Sequence, residues 1–265
     1  MYIIAEGDNP VCLCAHMDTV YPTAPNILYY DSDETVFWSP QGLGADDRAG
    51  IYIILSLIKR GFRPSIVFTD LEECGCIGAK ALVADYPQCI FKDCRAIIEL
   101  DRRGSYDAVY YECDNKDFEK LITSYGFLTN YGTFSDISVL APIWGIAAVN
   151  LSIGYYNEHQ LIETLNFGEC NAVLEKVSYM LEDSQDWLSY AYIPNQDRFY
   201  TDLFSDFSVE DDFLYDVKCD CCGDTMSLDD GILMQSWDKT RDFYVCPSCY
   251  KTITSKNEAS ITKAV

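Results

Sequence analysis

Histidine and basic residues are scarce in this chain, and long apolar runs are missing. The 265 residues include 2 His, and 19 Lys and Arg stand against 42 Asp and Glu, for a net charge of −23. So acidic a chain is poorly suited to general binding of nucleic acid or anionic membranes. No apolar run reaches the roughly 18 residues of a membrane helix. We therefore expect neither nucleic acid nor a membrane among its partners.

The N-terminal segment and the cysteines bear on the cell compartment. "MYIIAEGDNP" lacks a basic stretch, a long apolar run and a cleavage site, so we read no secretory signal in it. The 13 Cys could form a disulfide framework, but a chain of this length can bury a core without one. Five of them lie in or beside apolar runs and are predicted to be free core thiols: Cys12, Cys14, Cys74, Cys76 and Cys94. We expect a reducing, cytoplasmic location.

Strand-like and helix-like patterns alternate through residues 1–182. Short apolar or β-branched runs predict strands at 11–15, 65–70, 96–101 and 147–154. Helical patterns lie at 47–60, 75–86, 116–126 and 163–182. This alternation predicts an α/β domain with a mostly parallel sheet, whose ligands collect at the carboxyl ends of the strands.

The remaining third of the chain, residues 183–265, does not alternate between strand-like and helix-like patterns. Residues 183–216 are acidic and rich in aromatics, and they fit either a linker or a segment that wraps around the first domain. Residues 217–252 form a cysteine-containing module, and 253–265 form a tail.

Two Cys-x2-Cys pairs mark the module at 217–252. They are Cys219 with Cys222 and Cys246 with Cys249, and this pattern resembles zinc ribbons. Four thiolates saturate one zinc ion, so we expect a structural metal. Cys221 could replace Cys222 as a ligand. The module has no basic surface pattern, which favours contact with protein over nucleic acid.

Polar clusters follow the predicted strands of the first domain. They comprise both histidines and several carboxylates: His16 with Asp18, Asp46 with Asp47, Glu72 with Glu73, Asp101, and His159. Since strand ends converge at one edge of an α/β sheet, these groups predict a first-row metal site, with zinc the leading candidate and manganese or cobalt as alternatives.

The residue types fit a two-metal hydrolase. Such a site needs a shared carboxylate, about two further ligands per metal, and a base for water. The predicted ligands are His16, Asp46, Glu73, Asp101 and His159. If the backbone is extended, Glu72 and Glu73 point opposite ways and divide the roles of base and ligand. Asp18 could hydrogen-bond the second ring nitrogen of His16, and one of Asp46 and Asp47 should cap the following helix.

The set of motifs resembles the co-catalytic zinc exopeptidases, which include peptidase T-like enzymes and lid-less zinc aminopeptidases. The matching stretches lie between residue 11 and about residue 182: "AHMDTV", "GLGADDRAGI", "FTDLEECGCIGA", "ELDRRG" and "GYYNEH". The resemblance implies a three-layer α/β/α fold with a mostly parallel mixed sheet.

The resemblance also assigns roles within the site. It implies that Asp46 bridges two metals, that His16 and Asp101 bind one of them, and that Glu73 and His159 bind the other. Glu72 becomes the general base that activates the metal-bridging water, with Asp18 in support. The peptide bond between Asp46 and Asp47 is expected to be cis.

Two features differ from the peptidase T-like enzymes, which carry an inserted lid domain. The interval from Asp101 to His159 is too short for a lid domain, and its Ser135-Asp136 pair resembles a loop motif of the lid-less enzymes. A third histidine is missing from the chain, so an oxyanion must rely on metal, backbone N–H groups or tyrosine, for which Tyr155 and Tyr156 are candidates.

The sequence thus predicts a metal-dependent hydrolase of the two-zinc, aminopeptidase-like exopeptidase type, with a third, structural zinc in the ribbon. A deacylase or amidase for small N-acyl compounds would use the same groups, and Arg102 and Arg103 could then hold a substrate carboxylate. A catalytically silent protein that acts through the ribbon is the other alternative.

Overall fold

The computed structural model describes residues 1–31, 33, 35–195, 216–218, 222, 225–227, 232–235, 242–249 and 251. The chain divides into two compact units, Met1–Phe199 and Tyr200–Val265. No helix among the described residues is long and apolar enough to cross a membrane.

The first unit contains the predicted α/β pattern. Its strands are β1 (Tyr2–Ala5), β2 (Asn9–His16), β3 (Tyr29–Tyr30), β4 (Val36–Trp38), β5 (Pro64–Thr69), β6 (Ala96–Arg102), β7 (Asp107–Val109), β8 (Leu128–Thr129), β9 (Ala148–Ser152), β10 (Tyr155–Tyr156) and β11 (Thr164–Asn166). Its helices are α1 (Ala45–Lys59), α2 (Ile77–Asp85), α3 (Lys116–Ser124), α4 (Asp136–Trp144) and α5 (Phe167–Asp183).

A seven-stranded sheet in the order β1-β5-β2-β6-β9-β7-β8 forms the centre of this unit. The four strands β5, β2, β6 and β9 are parallel, whereas β1 and β7 run antiparallel to their neighbours β5 and β9. A smaller antiparallel sheet has the order β10-β11-β4-β3. The mostly parallel, mixed sheet was predicted and is confirmed.

Apolar side chains alternate between the two faces of the sheet and form two cores. Leu13 of β2 faces a core shared with α1 and α5, while its neighbours Cys12 and Cys14 face a core shared with α2 and α4. This is the period of two that a strand buried on both faces requires. Helices therefore cover both faces, and the three-layer arrangement is confirmed.

Three features of the fold differ from the sequence predictions. Helix α5 begins at Phe167 and not at 163, because Asn166 caps it by accepting the Glu169 N–H at 3.1 Å and residues 164–166 form β11. Helix α4 was not predicted, because its sequence is apolar around the axis and contains Pro142. The small sheet was also missed, since its strands have only two or three residues.

The start of the predicted connecting segment packs on the first unit. Trp187 is buried, and the Arg95 guanidinium donates to the carbonyl groups of Ser184, Gln185 and Trp187. The Ala147 N–H donates to the Tyr190 carbonyl at 2.8 Å. Residues 183–195 are therefore part of this unit, and 196–215 lie outside the described residues.

The eight cysteines of the first unit are thiols that form no disulfide bond. Cys12, Cys14 and Cys76 are buried as predicted, but Cys94 is half-buried and Cys74 is exposed. Cys74 differs because it lies in a turn before α2 and not in a strand or helix.

The second unit contains two antiparallel pairs of strands. Strand β12 (Asp216–Lys218) pairs with β13 (Thr225–Ser227), and β14 (Ile232–Gln235) pairs with β15 (Asp242–Val245).

Candidate metal centre

The carboxyl ends of three neighbouring parallel strands bring the predicted ligands together. His16 ends β2, Asp101 lies near the end of β6, and Glu73 follows β5. Asp46 comes from the first turn of α1, and His159 comes from the loop after β10. Residues that are far apart in sequence therefore meet at one edge of the sheet.

Asp46 lies between the two histidines. Its Oδ1 is 3.0 Å from the His16 Nε2, and its Oδ2 is 3.2 Å from the His159 Nε2. The His16 Nε2 is also 3.3 Å from Asp101 Oδ1, and the His159 Nε2 is 2.9 Å from Glu73 Oε2. The ligands thus form two groups that share one carboxylate.

The spacing of these atoms fits zinc. Two ligand atoms on one tetrahedral zinc ion, at bonds of about 2.0–2.1 Å, lie about 3.3 Å apart. Imidazole and carboxylate are also the donors that zinc accepts. Glu73 Oε1 is buried without a hydrogen-bond partner, which suits an oxygen that a metal ion would satisfy.

The two groups form a strongly coupled set of charges. Burial alone would lower the pKa of His16, but the carboxylates of Asp101, Asp18 and Asp46 outweigh it and raise that pKa well above its ordinary value. Hydrogen bonds to Asp46 and Glu73 raise the pKa of His159 to about 10. The acidic ligands therefore attract positive charge, as proton or as metal.

Asp18 supports both the metal ligands and the base. The His16 Nδ1 lies 3.0 Å from the Asp18 carbonyl oxygen and 3.3 Å from its Oδ1. The Asp18 carboxylate also accepts the N–H groups of Glu72 at 3.1 Å and Glu73 at 3.2 Å. A proton on Nδ1 leaves Nε2 free to bind metal, so Asp18 fixes the tautomer and orientation of His16.

Asp47 caps helix α1, as one of the two aspartates was expected to do. Its oxygens accept the N–H groups of His16 and Gly50, each at 3.0 Å. The bond between Asp46 and Asp47 is cis, which confirms the expectation from the resemblance. A Cβ on Gly50 would lie 2.0 Å from the Leu100 carbonyl oxygen, so glycine lets α1 approach β6 beside the site.

The sequence interpretation missed Glu163, which holds the loop of the bridging residue. Its side chain is fully buried, and its oxygens accept the N–H groups of Gly44 at 2.7 Å and Asp46 at 3.0 Å. Burial raises the pKa of this carboxyl above its ordinary value, although the hydrogen bonds from the N–H groups of Asp46 and Gly44 lower it. Nothing in its sequence context distinguishes Glu163 from a surface glutamate.

The reason given for the different roles of Glu72 and Glu73 is wrong. They lie in a turn, where the Gly75 N–H donates to the Glu72 carbonyl at 2.8 Å, and not in extended backbone. Both side chains nevertheless line one pocket. Burial, followed by repulsion from Asp101, raises the pKa of Glu72 to about 9, so in the metal-free site this carboxyl holds a proton at neutral pH.

The pocket above the ligands has a volume of about 370 Å³. Tyr111, Tyr131 and Phe134 contribute to its wall. The two tyrosines proposed for the oxyanion are otherwise engaged, because Tyr155 donates to the Asp101 carbonyl at 3.2 Å and Tyr156 donates to Glu169 at 2.5 Å.

Ser135 and Asp136 lie beneath the site and not in the pocket. The Ser135 hydroxyl donates to Glu99, and Asp136 accepts the hydroxyl of Thr69, all within the buried layer below the ligands. Two buried carboxylates therefore lie next to the site, Asp136 from the start of α4 and Glu99 from β6, the strand that also carries Asp101.

Three of the four predicted ribbon ligands are described. The sulfur atoms of Cys222 and Cys246 are 3.9 Å apart, and Cys249 joins them within 4.8 Å. Thiolates on one zinc ion with bonds of about 2.3 Å would lie about 3.8 Å apart. Cys219 and its neighbour Cys221 lie outside the described residues.

Comparisons with known proteins agree with this arrangement. Residues 3–130 match the sequence model of Peptidase family M28. The resemblance to the zinc exopeptidases is confirmed. The match supports a zinc metallopeptidase, as the sequence predicted. None of the curated proteins matches the chain.

Solved structures of other proteins share the fold at low sequence identity. The aminopeptidase PepT from Bacillus cereus has a TM-score of 0.51 at 16% identity, over 69% of this chain and 84% of that one. A tripeptidase from Staphylococcus aureus has a TM-score of 0.55 at 14% identity, over 70% of this chain and 84% of its own. An aminopeptidase from the archaeon Desulfurococcus kamchatkensis has a TM-score of 0.50 at 12% identity, over 69% of this chain and 82% of its own.

Proposed function

We propose that this protein is a two-zinc exopeptidase of the aminopeptidase type. The observation that carries the proposal is the position of Asp46, whose two carboxylate oxygens each face a different histidine. A carboxylate shared by two ligand groups is the arrangement that a two-metal hydrolase requires. His16 and Asp101 would hold one zinc ion, and His159 and Glu73 the other.

The protein groups around the ligands have distinct tasks in peptide hydrolysis. Two zinc ions bound there would polarise the scissile carbonyl and acidify the attacking water. Glu72, which lines the pocket beside the ligands, would accept the proton of that water and return it to the leaving amine, because bound metal ions nearby would favour its ionised form. Asp18 holds the backbone of Glu72 and the ring of His16 in place.

A third zinc ion in the second unit would have a structural role. Cys222, Cys246 and Cys249 are close enough to share one ion, and Cys219 would complete four thiolates. Four thiolates leave no position for water, so this metal stabilises the module and takes no part in hydrolysis.

A deacylase for N-acyl amino acids is the second candidate. It is favoured by Arg103, which lines the same pocket and offers positive charge to a substrate carboxylate. The silent binding protein has less support, because the predicted ligands and the candidate base Glu72 all lie at one site.

The test is a substrate screen of the metal-loaded protein. Dipeptides, aminoacyl-nitroanilides and N-acyl amino acids are offered to protein loaded with zinc, manganese or cobalt. Hydrolysis of peptides with a free N-terminus supports the exopeptidase, and turnover confined to N-acyl amino acids supports the deacylase. If no substrate is cleaved by protein with both metals bound, the proposal is wrong.

A further inference from the structure

Two arginines follow Asp101 and line the pocket, but their environments differ. Arg102 is 15% exposed, and its guanidinium contacts the Asp107 carboxylate at 3.4 Å and the Tyr131 carbonyl at 2.9 Å. These contacts hold the Tyr131 loop to the end of β6. The Arg102 guanidinium is therefore occupied by structural contacts.

Arg103 combines a fixed backbone with an exposed head group. Its carbonyl accepts the Ser152 hydroxyl at 2.6 Å, and the next N–H, of Gly104, donates to the Tyr155 carbonyl at 2.8 Å. The side chain is 63% exposed and makes a 2.6 Å ion pair with Glu158. An ion pair this exposed to water contributes little to stability, so another carboxylate can readily replace Glu158 as the partner of Arg103.

The charges of the pocket make this guanidinium the natural receptor for an anionic group. Five carboxylates line the described part of the pocket: Asp46, Glu72, Glu73, Asp101 and Glu158. Their negative charges repel a substrate anion, except where a nearby cation compensates those charges. The planar fork of arginine binds a carboxylate through two N–H groups, which gives both charge and direction.

The distance along the chain suits a short substrate. Arg103 follows the ligand Asp101 by two residues, just beyond the end of β6, and an extended chain rises about 3.3 Å per residue, which puts their Cα atoms about 7 Å apart or less. A peptide spans a similar length with one or two residues. The volume of about 370 Å³ also lies near the lower end of the roughly 300–1,000 Å³ range of small-molecule sites.

We propose that Arg103 binds the free C-terminal carboxylate of a short peptide, one or two residues beyond the scissile bond. This inference rests on the proposed exopeptidase function and specifies its substrates as di- and tripeptides with an unblocked C-terminus. Arg103 is then the residue that discriminates these substrates from amidated or longer peptides.

The test compares alanyl-alanine with its C-terminal amide. We expect the zinc-loaded protein to prefer the free acid by about tenfold to a hundredfold in kcat/KM, mainly through KM, as for a charge-assisted hydrogen-bonded pair. Arg103→Gln should bring the two substrates within about threefold of each other, and Arg103→Lys should restore part of the preference. An unchanged preference in Arg103→Gln would overturn the proposal.

Two control variants separate recognition from structure. Glu158→Gln breaks the same ion pair but keeps the guanidinium, so the preference for the free acid should remain. Arg60→Gln removes a comparable exposed pair, at 2.6 Å from Glu175, outside the pocket, and should change nothing. If Glu158→Gln abolished the preference as fully as Arg103→Gln, the pair would be structural and the inference wrong.

A second substrate comparison identifies the carboxylate that is recognised. Alanyl-aspartate amide carries its carboxylate on a side chain and should be cleaved as poorly as alanyl-alanine amide. Cleavage as efficient as that of alanyl-alanine would contradict recognition of the C-terminus.

Binding measurements keep this inference separate from the proposed function. The zinc-loaded Glu72→Gln variant should bind alanyl-alanine more tightly than its amide in titration calorimetry, and adding Arg103→Gln should remove the difference. Selective binding without any turnover by the parent protein would refute the exopeptidase and leave the recognition by Arg103 standing. Equal binding of acid and amide, or binding of neither, would refute the recognition.

Discussion

The two halves of the metal centre use the same ligand types in different surroundings. The side chain of His16 is 1% exposed, whereas that of His159 is 47% exposed. The ring of His16 is held on its far side by Asp18, and its backbone is part of the central strand β2. His159 lies in a loop and has a positive φ of 62°, a conformation that few residues other than glycine adopt.

This difference indicates that the fold prepares one half of the site more firmly than the other. The His16 half is fixed by a buried strand and by outer hydrogen bonds, which orient a ligand before metal arrives. The His159 half depends on a loop and on Glu73, in a turn. We therefore expect the zinc ion on His16 and Asp101 to be held longer than the ion on His159 and Glu73.

Glu72→Gln should have the largest effect on activity. A general base contributes roughly a hundredfold to ten-thousandfold, and the glutamine cannot accept a proton, so kcat should fall by about that factor. Metal content should stay at the wild-type value. Glu73→Gln should instead release metal from the exposed half. Kinetics and elemental analysis of both variants test this, and the reverse pattern would exchange the roles of the two glutamates.

His16→Ala should cost the most stability. It leaves buried carboxylates, including Asp46 and Asp101, without their positive partner, and removing one partner of a buried charged set costs about 3–5 kcal/mol. His159→Ala, at a half-exposed position where water screens the ion pairs, should lower the free energy of unfolding of the metal-free protein by less than His16→Ala does. Denaturant unfolding with a chelator present measures both. Equal losses would show that the two halves are equally structural.

The metal-free protein should lose stability as the pH rises from about 6 to 9. The pKa of His159 is raised to about 10 by Asp46 and Glu73, and that of Glu72 to about 9 by burial and Asp101. A folded-state pKa above the unfolded one means that the folded protein binds more protons, so stability is lost as pH passes through that window.

Bound zinc should reduce this pH dependence, because the metal ions replace the protons among the carboxylates. Melting temperatures of chelated and zinc-loaded protein at several pH values give the comparison. A chelated protein that became more stable between pH 6 and 9 would contradict the assigned charges.

Chelation should have the smallest effect at first, because it should begin with the exposed half alone. Limiting chelator should remove about one zinc ion per chain quickly and a second more slowly. In Glu73→Gln the fast step should be missing, while Asp101→Asn should convert the slow ion into a fast one. Timed elemental analysis separates these cases, and identical rates in wild-type protein would refute the difference between the halves.

The ligands could be predicted from sequence because they follow strongly apolar strands. The runs that end at His16 and Asp101 have few alternatives to buried parallel strands, and both histidines of the chain lie where such a site needs them. The α/β fold followed from the same pattern.

The features that were missed depend on contacts distant in sequence. Helix α4 has no polar face because it packs both on the sheet and against its neighbour α2, so it lacks the period of an exposed helix. Glu163 resembles any surface glutamate in sequence, and its role appears only when its oxygens meet the N–H groups of Gly44 and Asp46. The different partners of Arg102 and Arg103 are likewise visible only in three dimensions.

Metal content of the wild-type protein and of Asp46→Asn tests the central claim most directly. The account predicts about three zinc ions per wild-type chain, two at the centre shared by Asp46 and one on the cysteines. Asp46→Asn should retain the cysteine-bound ion and lose most of the other two together, because one carboxylate serves both. A wild-type chain with one ion or fewer at full loading, or an Asp46→Asn variant that keeps all three, would contradict the shared two-metal site.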